Sequence, residues 1–190
     1  MATTLIHIEW EGPFTIDEVK KLTNGYTDYG LYQIYGPNPT YCRVELLYIG
    51  LADAQTFAVR IPQHAADKIE WRDSSQALIY VGRLAGNATP DNATWTKEIY
   101  LAERLLIYAH YPVYNKTKDL GGLEPELRNV QVLNWKRFRD LFPEVSGVRF
   151  CRNEFSSHRA YGTHRLTSPD MPQLGQGIAE NSDSQVLPAV

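Results

Sequence analysis

Cysteine is scarce: the chain has two, Cys42 and Cys151, far apart in sequence. That excludes a disulfide scaffold, and no His/Cys spacing suits zinc, so both read as small buried thiols. Long apolar runs are missing too, which excludes a membrane-spanning helix. The first ten residues lack the basic and apolar blocks of a secretory signal. The expected location is therefore the cytoplasm, where the Asn-x-Thr sequons at Asn87, Asn92 and Asn115 are chance matches. No internal repeat is visible. Neither sign of charge dominates, with 19 Lys and Arg against 22 Asp and Glu. The net −3 argues mildly against a polyanionic partner.

Distribution qualifies that sum. Residues 128–165 carry eight Lys and Arg against three Asp and Glu, whereas the residues before and after them are acidic on balance. This basic block is where a phosphate polymer would find its counter-charge, through Lys136, Arg137, Arg139, Arg149, Arg152 and Arg159. The alternative is a basic surface that merely keeps the chain soluble. At 43% hydrophobic residues the chain has enough apolar mass for one globular domain with a real core. From Thr167 onward the residues are mostly small or polar with three prolines, which reads as a disordered tail.

Local signals predict the elements in order. Residues 5–10 read as a strand. Thr15 and Glu18 form a capping box opening a short helix over residues 16–23. Two apolar runs flank the turn formers Gly36, Pro37, Asn38, Pro39 and Thr40, the pattern of a β-hairpin that sets Tyr32 and Tyr48 on neighbouring strands. Pro62 predicts a helix ending near Val59 and a second one starting at the proline. Residues 77–84 read as a strand covered on both faces. Residues 95–110 form the strongest helix. On that helix Glu103 sits on or beside the apolar face, as a boundary carboxylate or as a metal ligand. A strand is expected at 130–133, a helix at 135–142 capped by Asn134, and a basic edge strand at 148–155.

Gly30-Leu31-Tyr32 followed by Tyr48-Ile49-Gly50 resembles the paired signature of the GIY-YIG nuclease superfamily. Arg60, His64, Glu103 and Asn115 follow in the order of that family's arginine, His-or-Tyr, glutamate and asparagine, with Pro112 and Tyr114 resembling its closing element. The resemblance covers residues 28–115. It implies an α/β (α+β) fold: a small three-stranded antiparallel sheet flanked by helices over residues 28–118. Residues 1–27 would then be an N-terminal strand and helix extension. Residues 119–165 would be a basic α/β extension on the same domain, and residues 166–190 the tail.

The implied activity is a metal-dependent endonuclease, with DNA the expected substrate and no membrane partner; oligomeric state is not readable. By resemblance Tyr32 helps activate water, Tyr48 positions water or phosphate, Arg60 grips the scissile phosphate, His64 orients or shares a proton, and Asn115 braces the site. Glu103 would ligate Mg²⁺ (or Mn²⁺), and with one carboxylate on offer a single-metal mechanism is expected. The chain departs from the family in three ways: a longer hairpin loop, Leu51-Ala52 where some members carry a lysine, and Pro62 between Arg60 and His64. These departures motivate an alternative, a nucleic-acid-binding or scaffolding module of the same fold with little turnover.

Overall fold

The computed structural model describes residues 3–37, 43–67, 76–86, 90–115 and 123–150, the side chains of 65–67 excepted. Among them the strands are β1 (Thr4–Phe14), β2 (Gly30–Pro37), β3 (Val44–Ala52), β4 (Leu78–Ala85), β5 (Val130–Lys136) and β6 (Glu144–Ser146). The helices are α1 (Ile16–Val19), α2 (Phe57–Asp67) and α3 (Asn92–His110). The strands form one sheet in the order β3-β2-β4-β1-β5-β6, in which β1 and β5 are parallel and every other pair is antiparallel. The α+β class agrees with the sequence reading, but the sheet has six strands rather than three. The N-terminal strand lies inside it, with Ile8 opposite Leu84 on β4 and Asn134 on β5.

Strand alternation sorts the apolar residues onto two faces. Ile6, Ile8 and Trp10 of β1, Leu31 and Tyr35 of β2, and Val130 and Val132 of β5 meet Ile99, Ala102, Leu105 and Leu106 of α3. Tyr32, Ile34, Ile79 and Val81 turn the other way and meet Val19 of α1 with Phe57 and Ile61 of α2. Each fully buried side chain of this size contributes roughly 1.5–3 kcal/mol, so burial on the two faces is what holds the helices to the sheet.

Several local expectations are corrected by tertiary contacts. The capping box is present, with the Thr15 N–H donating to the Glu18 carboxylate at 2.7 Å, but α1 is a single turn. Beyond it the chain turns, with the Asp28 carboxylate accepting from the Asn24 N–H and Arg83 holding Asp28 at 2.9 Å. Pro62 does not break α2, which is continuous. Phe57 and Ile61, buried on either side of one turn, anchor the helix, and its first amides donate to the carbonyls of Asp28 and Leu22. Asn134 is no helix cap. It sits in β5, where its amide accepts from the buried Trp10 indole at 2.8 Å and donates to the Phe142 carbonyl at 2.8 Å. Residues 135–142 are therefore strand end and turn rather than helix, and Gly147–Phe150 is a 3₁₀ turn rather than the start of an edge strand. Cys42, Cys151, Arg152, Arg159 and the tail lie outside the described residues.

Candidate active site

The hairpin β2–β3 pairs Tyr32 with Gly50 and Ile34 with Tyr48, so the two tyrosines lie diagonally on one face. Their ring centroids are 6.0 Å apart. Glycine at 50 is what lets them close: a Cβ there would stand 2.6 Å from the Tyr32 hydroxyl and 2.6 Å from the Tyr48 ring. Gly30 has a different reason, a φ of +142° together with close approach of the Gly82 carbonyl.

α2 brings its residues down onto this face. His64, four residues after Arg60, is 7% exposed, and its Nδ1 shares a hydrogen bond of 3.0 Å with the Tyr32 hydroxyl. Its ring stands edge-on to Tyr48, with centroids 5.4 Å apart. The Arg60 Nε donates to the Leu51 carbonyl at 3.4 Å, which turns the guanidinium toward the end of β3. Asn115 grips the same strand from outside. Its Oδ1 accepts from the Ile49 N–H at 2.9 Å and its Nδ2 donates to the Ile49 carbonyl at 2.8 Å, doubling as a short strand pairing.

Glu103 reaches the site from α3. Burial pushes its carboxyl up to about 7, opposed by the Arg60 guanidinium and reinforced by Asp53, while the Leu51 N–H donates to it and partly offsets the desolvation. The Tyr32 hydroxyl is pushed far above its ordinary value, chiefly by burial and then by Tyr48, with Arg60 pulling the other way. The Tyr48 hydroxyl is raised as well, first by burial and then by the Glu103 charge, with Arg60 opposing. Arg60 thus lies within electrostatic reach of both phenols and of the carboxylate. The result is a cluster of one cation, one carboxyl, two phenols and an imidazole, in which Tyr32 and His64 are buried and Tyr48, Arg60 and Glu103 are half-buried.

All six residues singled out in residues 28–115 converge on this end of the hairpin. The described basic candidates are each engaged with a protein partner. Lys136 pairs with Glu9, Arg137 donates to the Gly12 carbonyl at 2.8 Å, Arg139 lies 4.1 Å over the Tyr35 ring, and Arg149 pairs with Glu144. Asp53 was not singled out in the sequence as a site residue: it follows the second tripeptide as one charge among several, and only the fold brings it to bear on Glu103. Among the described residues no three His, Cys, Asp or Glu side chains converge as a metal cage. Compared with known proteins, the chain matches no family model, no curated protein and no solved structure.

Proposed function

We propose that the chain is a metal-dependent endonuclease of the GIY-YIG type, hydrolysing phosphodiester bonds in nucleic acid, with DNA the preferred substrate. The observation that carries this reading is the convergence of Tyr32, Tyr48, Arg60, His64 and Glu103, drawn from two strands and two helices, on one partly buried cluster. The antiparallel order β3-β2-β4 with α2 and α3 supports it as the nuclease core, built into a wider sheet.

Glu103 fits a hard divalent cation. Its carboxyl is desolvated and only partly compensated, which is the electrostatic deficit that Mg²⁺ or Mn²⁺ would relieve. One carboxylate suits an ion that keeps most of its waters, and when bound it would supply Lewis-acid stabilisation of phosphoryl charge. The chain's own groups account for the rest. Arg60 presents its fork to the non-bridging phosphate oxygens as negative charge grows there. The Tyr32 hydroxyl, hydrogen-bonded to His64, takes a proton from the attacking water while passing its own to Nδ1, so the imidazole ends as the base. That relay removes the need for a free phenolate, which burial makes unfavourable. Water oxygen bonds to phosphorus, the bond to the 3′ oxygen breaks, and that oxygen leaves with a solvent proton, giving 5′-phosphate and 3′-hydroxyl ends. Tyr48 orients the water, and Asn115 fixes the strand that carries Tyr48.

A cleavage screen over single-stranded, duplex and branched DNA and RNA, with and without Mg²⁺, followed by end mapping, tests this. Expected are Mg²⁺-dependent cuts that Glu103→Ala abolishes and Tyr32→Phe slows by about 10²–10⁴. Cleavage surviving Glu103→Ala would overturn the site assignment. Salt-weakened binding without any cutting would support the binding module instead.

A further inference from the structure

The α1–α2 layer covers only part of its sheet face. It packs on Tyr32, Ile34, Ile79 and Val81. Farther across, the same face continues through Arg83 on β4, His7 and Glu9 on β1, and Trp135 on β5, since Glu9 is registered with both Arg83 and Trp135. There a groove of about 870 Å³ opens, closed at its end by Tyr26 and Tyr29 and by Trp95 and Glu98 from the first turns of α3.

We propose that this groove is a binding site for a small organic cation, an alkylammonium or guanidinium group carried on an apolar body. Its walls are aromatic. Trp135 lies parallel to the His7 ring, 6.0 Å between centroids and 3° between planes, and remains 47% exposed. Tyr29 stands edge-on to Trp95 at 4.6 Å, and Tyr26 is 90% exposed at the rim. Exposed ring faces carry the negative side of a quadrupole, which attracts a cation once water is displaced.

The charge left over in the groove has the complementary sign. Arg83 is spent on the Thr27 carbonyl at 2.7 Å, Glu11 at 2.7 Å and Asp28 at 2.9 Å. Glu9 is spent on Lys136. Glu98 is the lining carboxylate without a partner among the described residues, and burial alone raises its pKa. A phosphate or carboxylate entering here would meet Glu98 and no free lining cation among the described residues. A guanidinium could stack on an indole and pair with Glu98 at once.

The test is titration of the full-length chain with choline and, separately, agmatine at constant ionic strength, with sodium chloride as the reference salt. Tryptophan fluorescence and calorimetry read binding, because Trp95 and Trp135 both line the groove. Expected is a saturable signal with at least one of the two cations, weakened ~5-fold or more by Glu98→Gln and by Trp135→Leu and unchanged by Lys20→Ala on α1. Glu98→Gln removes no hydrogen bond or ion pair among the described residues, so its fold serves as the internal check on Trp135→Leu. A response that never saturates, or that sodium chloride reproduces, overturns the proposal. So does saturation by cytidine monophosphate or a single-stranded oligonucleotide when neither cation responds, which would make the groove a base-stacking site.

Discussion

Glu103 holds the site's most exposed thermodynamic signature. Its pKa of about 7 stands above the unfolded value of 4.5, so the folded state binds this proton more tightly. The stability it contributes is fully present below pH 4.5 and is lost as pH rises through 7, a swing on the order of 2–3 kcal/mol. Glu103→Gln mimics the neutral form at every pH. In the absence of divalent metal, urea unfolding should therefore show the variant matching the parent at pH 4 and exceeding it at pH 8. Mg²⁺ at pH 8 should then raise the melting temperature of the parent and not of the variant. A pH-independent difference between the two would mean that the carboxyl is not raised. From sequence, Glu103 was visible as a polar residue on an apolar stripe, and the tyrosines as hairpin residues. The Tyr32–His64 hydrogen bond and the pull of Asp53 were not visible, because both depend on how α2 and α3 dock against β3.

At the scale of elements, what could be read locally was read correctly where local forces decide. α3 ends at Tyr111 in the left-handed conformation just before Pro112, as periodicity and proline suggested, but it begins three residues before the expected Trp95, at the Asp91 cap, which accepts from the Thr94 N–H at 2.9 Å. Several elements went otherwise, and in two of them tertiary contacts decided. Asn134 has the chemistry of a cap, but the Trp10 indole, 124 residues away, claims its amide. Pro62 has the chemistry of a break, but Phe57 and Ile61, both fully buried, anchor the turn that leads into it. That missing donor leaves α2 less stable than it could be, since an interior proline costs about 3 kcal/mol against alanine. Pro62→Ala is expected to raise the denaturation midpoint by the equivalent of about 1–3 kcal/mol by restoring the bond to the Ala58 carbonyl. Cleavage should stay within about tenfold, because Arg60 and His64 keep their four-residue spacing. A drop in midpoint would show that the proline is needed to seat the helix.

Across the whole molecule, the N-terminal strand joins the two halves of the sheet. β1 hydrogen-bonds β4 over residues 7–14 and β5 over residues 4–10, so it alone connects β3-β2-β4 to β5-β6. It also contributes Ile6, Ile8 and Trp10 to the core under α3, each 1% exposed or less. Removing residues 1–14 would expose the edges of both β4 and β5, uncover the α3 face, and orphan the Asn134 amide that Trp10 satisfies. The two remaining blocks could not close on each other without a strand of the same length between them. The truncated chain is therefore expected to lose cooperative unfolding by circular dichroism and to aggregate, although every residue of the candidate site lies outside the deletion. A cooperative, soluble fragment that still cuts nucleic acid would show instead that β3-β2-β4 and its helices are self-sufficient, and that the second half of the sheet is an appended module.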